Sequence, residues 1–252
     1  MANGDRPIMP PRVIAFDGDD TLWHNETLFS TSHDQFRSLL SRHVDLGPEA
    51  IGDRLFATER RNLAIYGYGI KGFVLSMVET AIEVSGARVP ADDIEVILEL
   101  GRTMLRHPVE LITGARETIE TLRARDHELW LVTKGDLFDQ ESKIARSGLS
   151  GLFQRIEIVS EKDEDLYRRL LDRHGVAPDE FAMVGNSLRS DVLPVLSIGA
   201  RAFHVPYPLT WEHERVAAAN DRPFVTLGSL SELPEALRRS REPPVAETSG
   251  GP

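Results

Sequence analysis

Val13-Ile14-Ala15-Phe16-Asp17-Gly18-Asp19-Asp20-Thr21-Leu22-Trp23 passes abruptly from apolar residues to carboxylates. A short β-rich run bounded by an Asp-Gly pair reads as a buried parallel strand, and ligands of open α/β sheets sit beyond the carboxyl ends of such strands. Asp17 and Asp19 are therefore expected at the active edge. Two positions apart on an extended segment, they point the same way, with Asp20 turned elsewhere. One could attack a substrate while the other moves protons. The same residues also suit a plain polar turn, because Asp and Gly favour turns for backbone reasons. Segments further along the chain separate the two readings.

Three more apolar runs end in polar residues, in order along the chain. Leu129-Trp130-Leu131-Val132-Thr133-Lys134-Gly135 stops at a hydroxyl residue. Ile156-Glu157-Ile158-Val159-Ser160-Glu161-Lys162 sets a lysine just before a helical stretch. Phe181-Ala182-Met183-Val184-Gly185-Asn186-Ser187-Leu188-Arg189-Ser190-Asp191 closes on Gly and Asn with a later Asp.

Together, over roughly Arg12 to Leu237, these segments resemble the haloacid dehalogenase-like (HAD) hydrolase superfamily, whose four motifs occur in this order. The combination is far more specific than any one motif. The resemblance implies a nucleophilic Asp17, a general acid/base Asp19, a Thr133 that holds a phosphoryl oxygen, and a Lys162 that neutralises charge beside the nucleophile. It implies Mg²⁺ held by Asp17, Asp19 through its backbone carbonyl, Asn186 and Asp191. Many relatives carry aspartate where this chain has Asn186; the amide oxygen can still ligate, with one negative charge fewer and weaker binding expected.

Residue chemistry agrees with these roles. A carboxylate can form an acyl-phosphate and divide a hard displacement into two easier steps. Phosphoryl transfer depends chiefly on positioning and electrostatics, which Lys162 and an oxygen-ligated Mg²⁺ would supply. Asp19 would protonate the leaving oxygen and then deprotonate water. Superfamily dehalogenases lack an acid at that position, since halide needs no proton, so Asp19 favours a phosphatase over a metal-independent dehalogenase. A phosphotransferase or mutase, with an acceptor other than water, and a non-catalytic binding relative remain open. Thr21 is expected to bond Asp17 or the turn backbone. Asn186 and Ser187 also suit a helix N-cap.

The composition fits this reading. The chain has 252 residues, no cysteine and a formal charge of −11. A disulfide framework is excluded, and the negative balance disfavours sequence-independent nucleic-acid binding. No apolar stretch is long enough to span a bilayer. The start, Met1 to Pro7, lacks the apolar core of a signal peptide, so a cytoplasmic protein acting on a small phosphorylated metabolite is expected.

Between the first and second motifs, Ser32–His43, Pro48–Ile65, Gly72–Val84 and Asp92–Arg106 carry helical spacing. That is too much helix for a crossover. The expected architecture is an α/β, doubly wound parallel sheet, a Rossmann-like core over residues 12–24 and 112–240, with an inserted all-helical cap over 25–111. Residues 1–11 and 241–252 read as disordered tails. Inside the cap, Tyr66-Gly67-Tyr68-Gly69-Ile70-Lys71-Gly72-Phe73 breaks the pattern. Tyr66, Tyr68 and Lys71, with Lys134 after the second motif, are candidate substrate contacts, the alternative being an interhelical turn and a solvated lysine. Glu59-Arg60-Arg61 reads as a solvated helix face. His204 and His213, in the Pro-rich run to Glu214, lack metal-ligand spacing, and a surface loop anchored by Trp211 is the preferred reading. His24 lies close enough to the first motif to touch substrate.

Overall fold

The computed structural model describes residues 10–209 and 224–239. Strands β1 (Val13–Phe16), β2 (Glu128–Lys134), β3 (Arg155–Val159), β4 (Phe181–Gly185), β5 (Arg201–His204) and β6 (Val225–Thr226) pair in parallel in the order β3-β2-β1-β4-β5-β6. The order reverses between β1 and β4, so the crevice for a ligand opens beyond the ends of these two strands.

Side-chain alternation divides β1 between two layers. Ile14 and Phe16 join a cluster with Ala115, Ile119 and Leu122 of α5 (Ala115–Arg123), Ile144 of α6 (Leu137–Ser147) and Leu233 and Leu237 of α9 (Leu233–Arg239). Val13 and Ala15 join Tyr167, Leu170 and Leu171 of α7 (Glu164–His174) and Val195 and Leu196 of α8 (Leu193–Ser197). A strand buried on both faces needs the continuous apolar run seen here, and helices cover both faces as right-handed crossovers require.

Four helices intervene between β1 and α5: α1 (Glu26–Leu40), α2 (Pro48–Tyr66), α3 (Ile70–Ser85) and α4 (Ala91–Arg106). They bury a cluster of their own, including Phe36, Leu40, Leu55, Phe73, Met77 and Ile97. α1 starts at Glu26 rather than at Ser32 because its cap comes from outside the helix. The buried Asp20 carboxylate accepts from Asn25 N at 2.9 Å and from Glu26 N at 3.0 Å. It thereby satisfies amides that have no partner within the helix. The break at Gly67 is real but short. Gly67, at φ 70°, ends α2, and α3 resumes at Ile70.

Pro11 belongs to the folded body rather than to a tail. It is buried, and its carbonyl lies 3.1 Å from His127 Nδ1. The readings of residues 1–9, of Trp211 to Glu214 with His213, and of 241–252 lie outside the described residues. Among the described residues no helix is long and apolar enough to cross a membrane.

Candidate active site

Parallel pairing aligns the ends of β1, β2 and β4 along one edge, and Asp17 extends β1 by donating its amide to Val184 O at 2.9 Å. Lys162, three residues beyond β3, folds back between two buried carboxylates. Its Nζ is hydrogen-bonded to Asp17 Oδ1 and lies 2.8 Å from Asp191 Oδ1. Asp191 sits on a single π-helical stretch, Leu188–Val192, which Ser187 caps by accepting from Ser190 N at 3.0 Å. Asp191 Oδ2 accepts from Ser187 N at 3.0 Å. Ser187 thus has the capping role its residue type suggests, whereas Asn186 is joined to the first motif.

Burial pushes the Asp17 carboxyl up to about 7, against the pull of Lys162 and with Asp191 adding to the rise. Burial also works against the Lys162 ammonium, but the attraction of Asp17 and Asp191 exceeds it and raises its pKa. Two carboxylates sharing one ammonium leave an excess of negative charge.

The hydroxyl of Thr21 shows where that excess is least satisfied. Thr21 Oγ1 accepts from Asn186 N at 3.0 Å and lies 3.2 Å from both Asp17 Oδ2 and Asn186 Oδ1. One hydroxyl hydrogen cannot serve two acceptors. An oxygen-only set of two carboxylates and an amide, short of donors, fits a hard divalent cation. Among the described residues no three His, Cys, Asp or Glu side chains gather into a cation site, and the amide oxygen of Asn186 is joined to Asp17 through their shared contact with Thr21 Oγ1.

The absence of a side chain at Gly185 makes room for Asp191, since a Cβ there would lie 2.2 Å from Asp191 Oδ2. Gly185→Ala is expected to push Asp191 from Lys162 and to cost about 3 kcal/mol, the scale for overpacking combined with a disturbed buried ion pair. A lowered urea midpoint at unchanged slope would register it.

Asp19 has a different set of partners. Its carboxylate accepts from Trp23 Nε1 at 2.6 Å, from Gln140 Nε2 at 2.9 Å and from Lys143 Nζ at 2.8 Å. Lys143 also lies 3.2 Å from Asp139, and burial, which disfavours its charge, is outweighed by the attraction of Asp19 and Asp139. Asp139, Gln140 and Lys143 all come from α6, whose first turn is capped by the preceding Asp136 accepting from Asp139 N at 3.0 Å. Lys143 and Gln140 were not singled out from sequence. The signal for them was a run of polar residues at helical spacing, Asp139, Gln140 and Lys143, on the side of α6 that also carries Ile144.

The other expected residues are divided in position. Asp17, Asp19, Lys134, Lys162, Asn186, Asp191 and Tyr68 line one cavity of about 160 Å³ between the strand ends and α1–α3. Lys134 Nζ lies 3.3 Å from Glu161 Oε1, 3.2 Å from Ser190 Oγ and 4.2 Å from the Tyr68 ring centre, and so is held in the wall rather than solvated. Tyr68 OH donates to Glu161 at 2.7 Å, which ties the α2–α3 connection to the strand ends. Thr133 lies fully buried behind the wall, with its hydroxyl donating to Gln140 Oε1 at 3.1 Å. Tyr66 is exposed and does not line the cavity. Lys71 is spent on Asp136 at 2.8 Å, outside the cavity wall. His24 Nδ1 meets Tyr207 OH at 2.7 Å, and His204 Nε2 lies 3.0 Å from Asn186 O, so both make structural contacts around the first and fourth motifs.

Glu59 is also on the cavity wall, contrary to a solvated reading. It is 7% exposed, and burial pushes its carboxyl up to about 8. Burial likewise pushes Glu26, on the same wall, to about 8, with Asp20 and Glu59 contributing. Because the folded value of Glu59 exceeds its ordinary one, its contribution to stability is present below about pH 4.5 and is lost as the pH rises through about 8. The unfolding free energy of Glu59→Gln should therefore fall less between pH 5 and pH 8 than that of the wild type, the difference amounting to roughly 2–4 kcal/mol in urea titrations at the two pH values. Parallel curves would refute this.

Comparison with known proteins adds the following. The family model for haloacid dehalogenase-like hydrolases matches residues 11–199. The chain is similar to a haloacid dehalogenase-like family hydrolase of known structure from Xanthomonas campestris, with 45% identity and a TM-score of 0.82 over 92% of this chain and 96% of that one. It is 32% identical to the phosphoserine phosphatase of Thermus thermophilus over 143 residues, 54% of this chain and 55% of that protein. It is 27% identical to the glyceraldehyde 3-phosphate phosphatase of Pyrococcus furiosus over 101 residues, 38% of this chain and 42% of that protein. The chain thus spans about half the length of the curated relatives it matches.

Proposed function

The chain belongs to the haloacid dehalogenase-like hydrolase family, and from that premise we propose that it is a Mg²⁺-dependent phosphatase of small phosphate monoesters, working through an aspartyl-phosphate on Asp17. The observation that carries this reading is a second carboxylate, Asp19, on the wall of the same cavity as Asp17 but with a separate set of donors. Displacing an alkoxide needs a proton; displacing a halide does not. Two carboxylates in different surroundings can take different roles.

A carboxylate oxygen of Asp17 forms a bond to phosphorus as the ester oxygen departs, and protonated Asp19 gives that oxygen its proton. The Asp19 carboxylate then takes a proton from the water that attacks phosphorus, which releases inorganic phosphate and restores Asp17. Lys162 offsets charge at Asp17 throughout, while Gln140, Trp23 and Lys143 hold the Asp19 carboxylate in register. Asp17, the Asp19 carbonyl, Asn186 and Asp191 would hold Mg²⁺, which supplies positive charge against the repulsion between Asp17 and a phosphate dianion. In the same reading residues 25–111 act as a helical cap that keeps bulk water from the cavity while residues 12–24 and 112–240 form the catalytic core. Lys134 is a substrate-side cation of that cavity.

Hydrolysis of p-nitrophenyl phosphate with and without Mg²⁺, beside a 2-haloacid, tests the proposal. Metal-dependent phosphate release without halide release is expected. Halide release without metal would replace the proposal with a dehalogenase, and phosphate loss only when an added alcohol acceptor is present would replace it with a phosphotransferase.

A further inference from the structure

Opposite Asp17 the cavity wall is made by α1–α3, and its polar side chains include Glu59, Asn62 and Glu26. Glu59 comes from the inner face of α2, one and two helical turns beyond Leu55 and Ile51. It is 7% exposed, and neither of its carboxylate oxygens has a hydrogen-bond partner. The neighbouring His33 Nε2 lies 3.5 Å away without hydrogen-bond geometry, and burial lowers that imidazole to about 4, so it brings no positive charge.

Asn62, one turn from Glu59, has its amide orientation determined by its partners. Nδ2 donates to Glu79 Oε2 at 2.8 Å and to Ser76 Oγ at 3.1 Å. A carboxylate cannot donate, so the amide cannot be reversed. Ser76 spends its own hydrogen on Gly72 O at 2.8 Å. Both donors of Asn62 and the donor of Ser76 are thus used within the protein, and the remaining capacity is the carbonyl oxygen of Asn62. The half-buried Glu26 adds a second carboxylate, and Phe29 and Phe73 give the wall aromatic faces. Among the described residues lining this side of the cavity there is no lysine or arginine.

We infer that Glu59, with Asn62 and Glu26, forms a subsite for the protonated amine of an aminoalkyl phosphate monoester whose phosphate end faces Asp17. Burial keeps Glu59 protonated below about pH 8, and a bound ammonium supplies the counter-charge that favours its carboxylate form. An ammonium brings three donors to a set of acceptors, and its alkyl stem suits aromatic walls. A substrate carboxylate would face the carboxyls of Glu59 and Glu26 with no lysine or arginine on this side of the cavity, which disfavours amino-acid phosphates and acid phosphates. The inference rests on the phosphatase reading for the other end of the substrate, but the subsite can be tested apart from turnover.

The test is calorimetric binding of 2-aminoethyl phosphate and of n-propyl phosphate, which lacks only the charged amine, to the full-length Asp17→Asn protein with Mg²⁺. A preference of about tenfold or more for the amine is expected, the scale of one charge-assisted hydrogen bond, and it should shrink to about twofold in Asp17→Asn/Glu59→Gln. Equal affinities for the two esters would overturn the inference without any need of the second variant. So would a preference that survives Glu59→Gln. If the preference is present and lost as expected while wild-type protein hydrolyses no ester, the subsite stands and the phosphatase reading fails.

Discussion

Asparagine in place of Asp17 is expected to reduce hydrolysis of an aryl phosphate by on the order of 10⁴-fold or more, the scale on which removal of a nucleophile is felt. The substitution keeps the shape of the side chain and its hydrogen bond with Thr21, but an amide cannot form the acyl-phosphate. Its effect on folding should be small, because two changes oppose each other. The buried Asp17 carboxyl, pushed up to about 7, no longer has to be desolvated, while Lys162 retains Asp191 at 2.8 Å but loses one of its two counter-charges. Stability within about 1–2 kcal/mol of wild type is expected, so lost turnover would reflect chemistry rather than unfolding. Steady-state kinetics and a denaturation curve on the same preparation check both statements. Retained turnover would remove Asp17 as the nucleophile.

Methionine in place of Lys162 is expected to have the largest effect on stability, a loss of about 3–5 kcal/mol, because breaking a buried pair leaves uncompensated charge. Here the loss exposes two carboxylates to each other, since Lys162, 3% exposed, is the ammonium bonded to both Asp17 and Asp191. The same reasoning predicts a rescue. A divalent cation bound between those carboxylates stabilises the native state by mass action, and the repulsion left in the variant should make that gain larger than in the wild type. Urea unfolding of both proteins with and without Mg²⁺ measures this. A variant as stable as wild type without metal would mean that Asp17 and Asp191 are neutral in the folded protein.

Much of the architecture was legible from short windows of sequence. Val13 to Phe16, Leu129 to Val132 and Phe181 to Val184 are continuous apolar runs because strands in the middle of a parallel sheet are buried on both faces. The helical spacing between Pro48 and Ile65 and between Asp92 and Arg106 reappears as α2 and α4 with ends shifted by a residue. Family membership was legible for the same reason, since each of the four strand-end segments is local.

Where the chain departed from expectation, the cause lay outside the window. α1 begins early because Asp20, separated from it by a loop, caps it. Lys71 and Tyr68 are three residues apart, yet Asp136 takes the first out of the cavity and Glu161 holds the second in it. Glu59 precedes two arginines and reads as solvated, but its direction on α2 turns it inward. Lys143 comes from α6, whose role is apparent only beside Asp19, 124 residues earlier.

The sequence by itself determined the order of strands and helices, the family, and which carboxylates stand at strand ends, because hydrophobic period and turn chemistry are written within a few neighbouring residues. Only the tertiary structure decided which of those groups share an ammonium or a cavity. Charge state depends on burial and on atoms a few ångströms away, and the chain delivers those atoms from distant positions, as when Thr21 meets Asn186, 165 residues along.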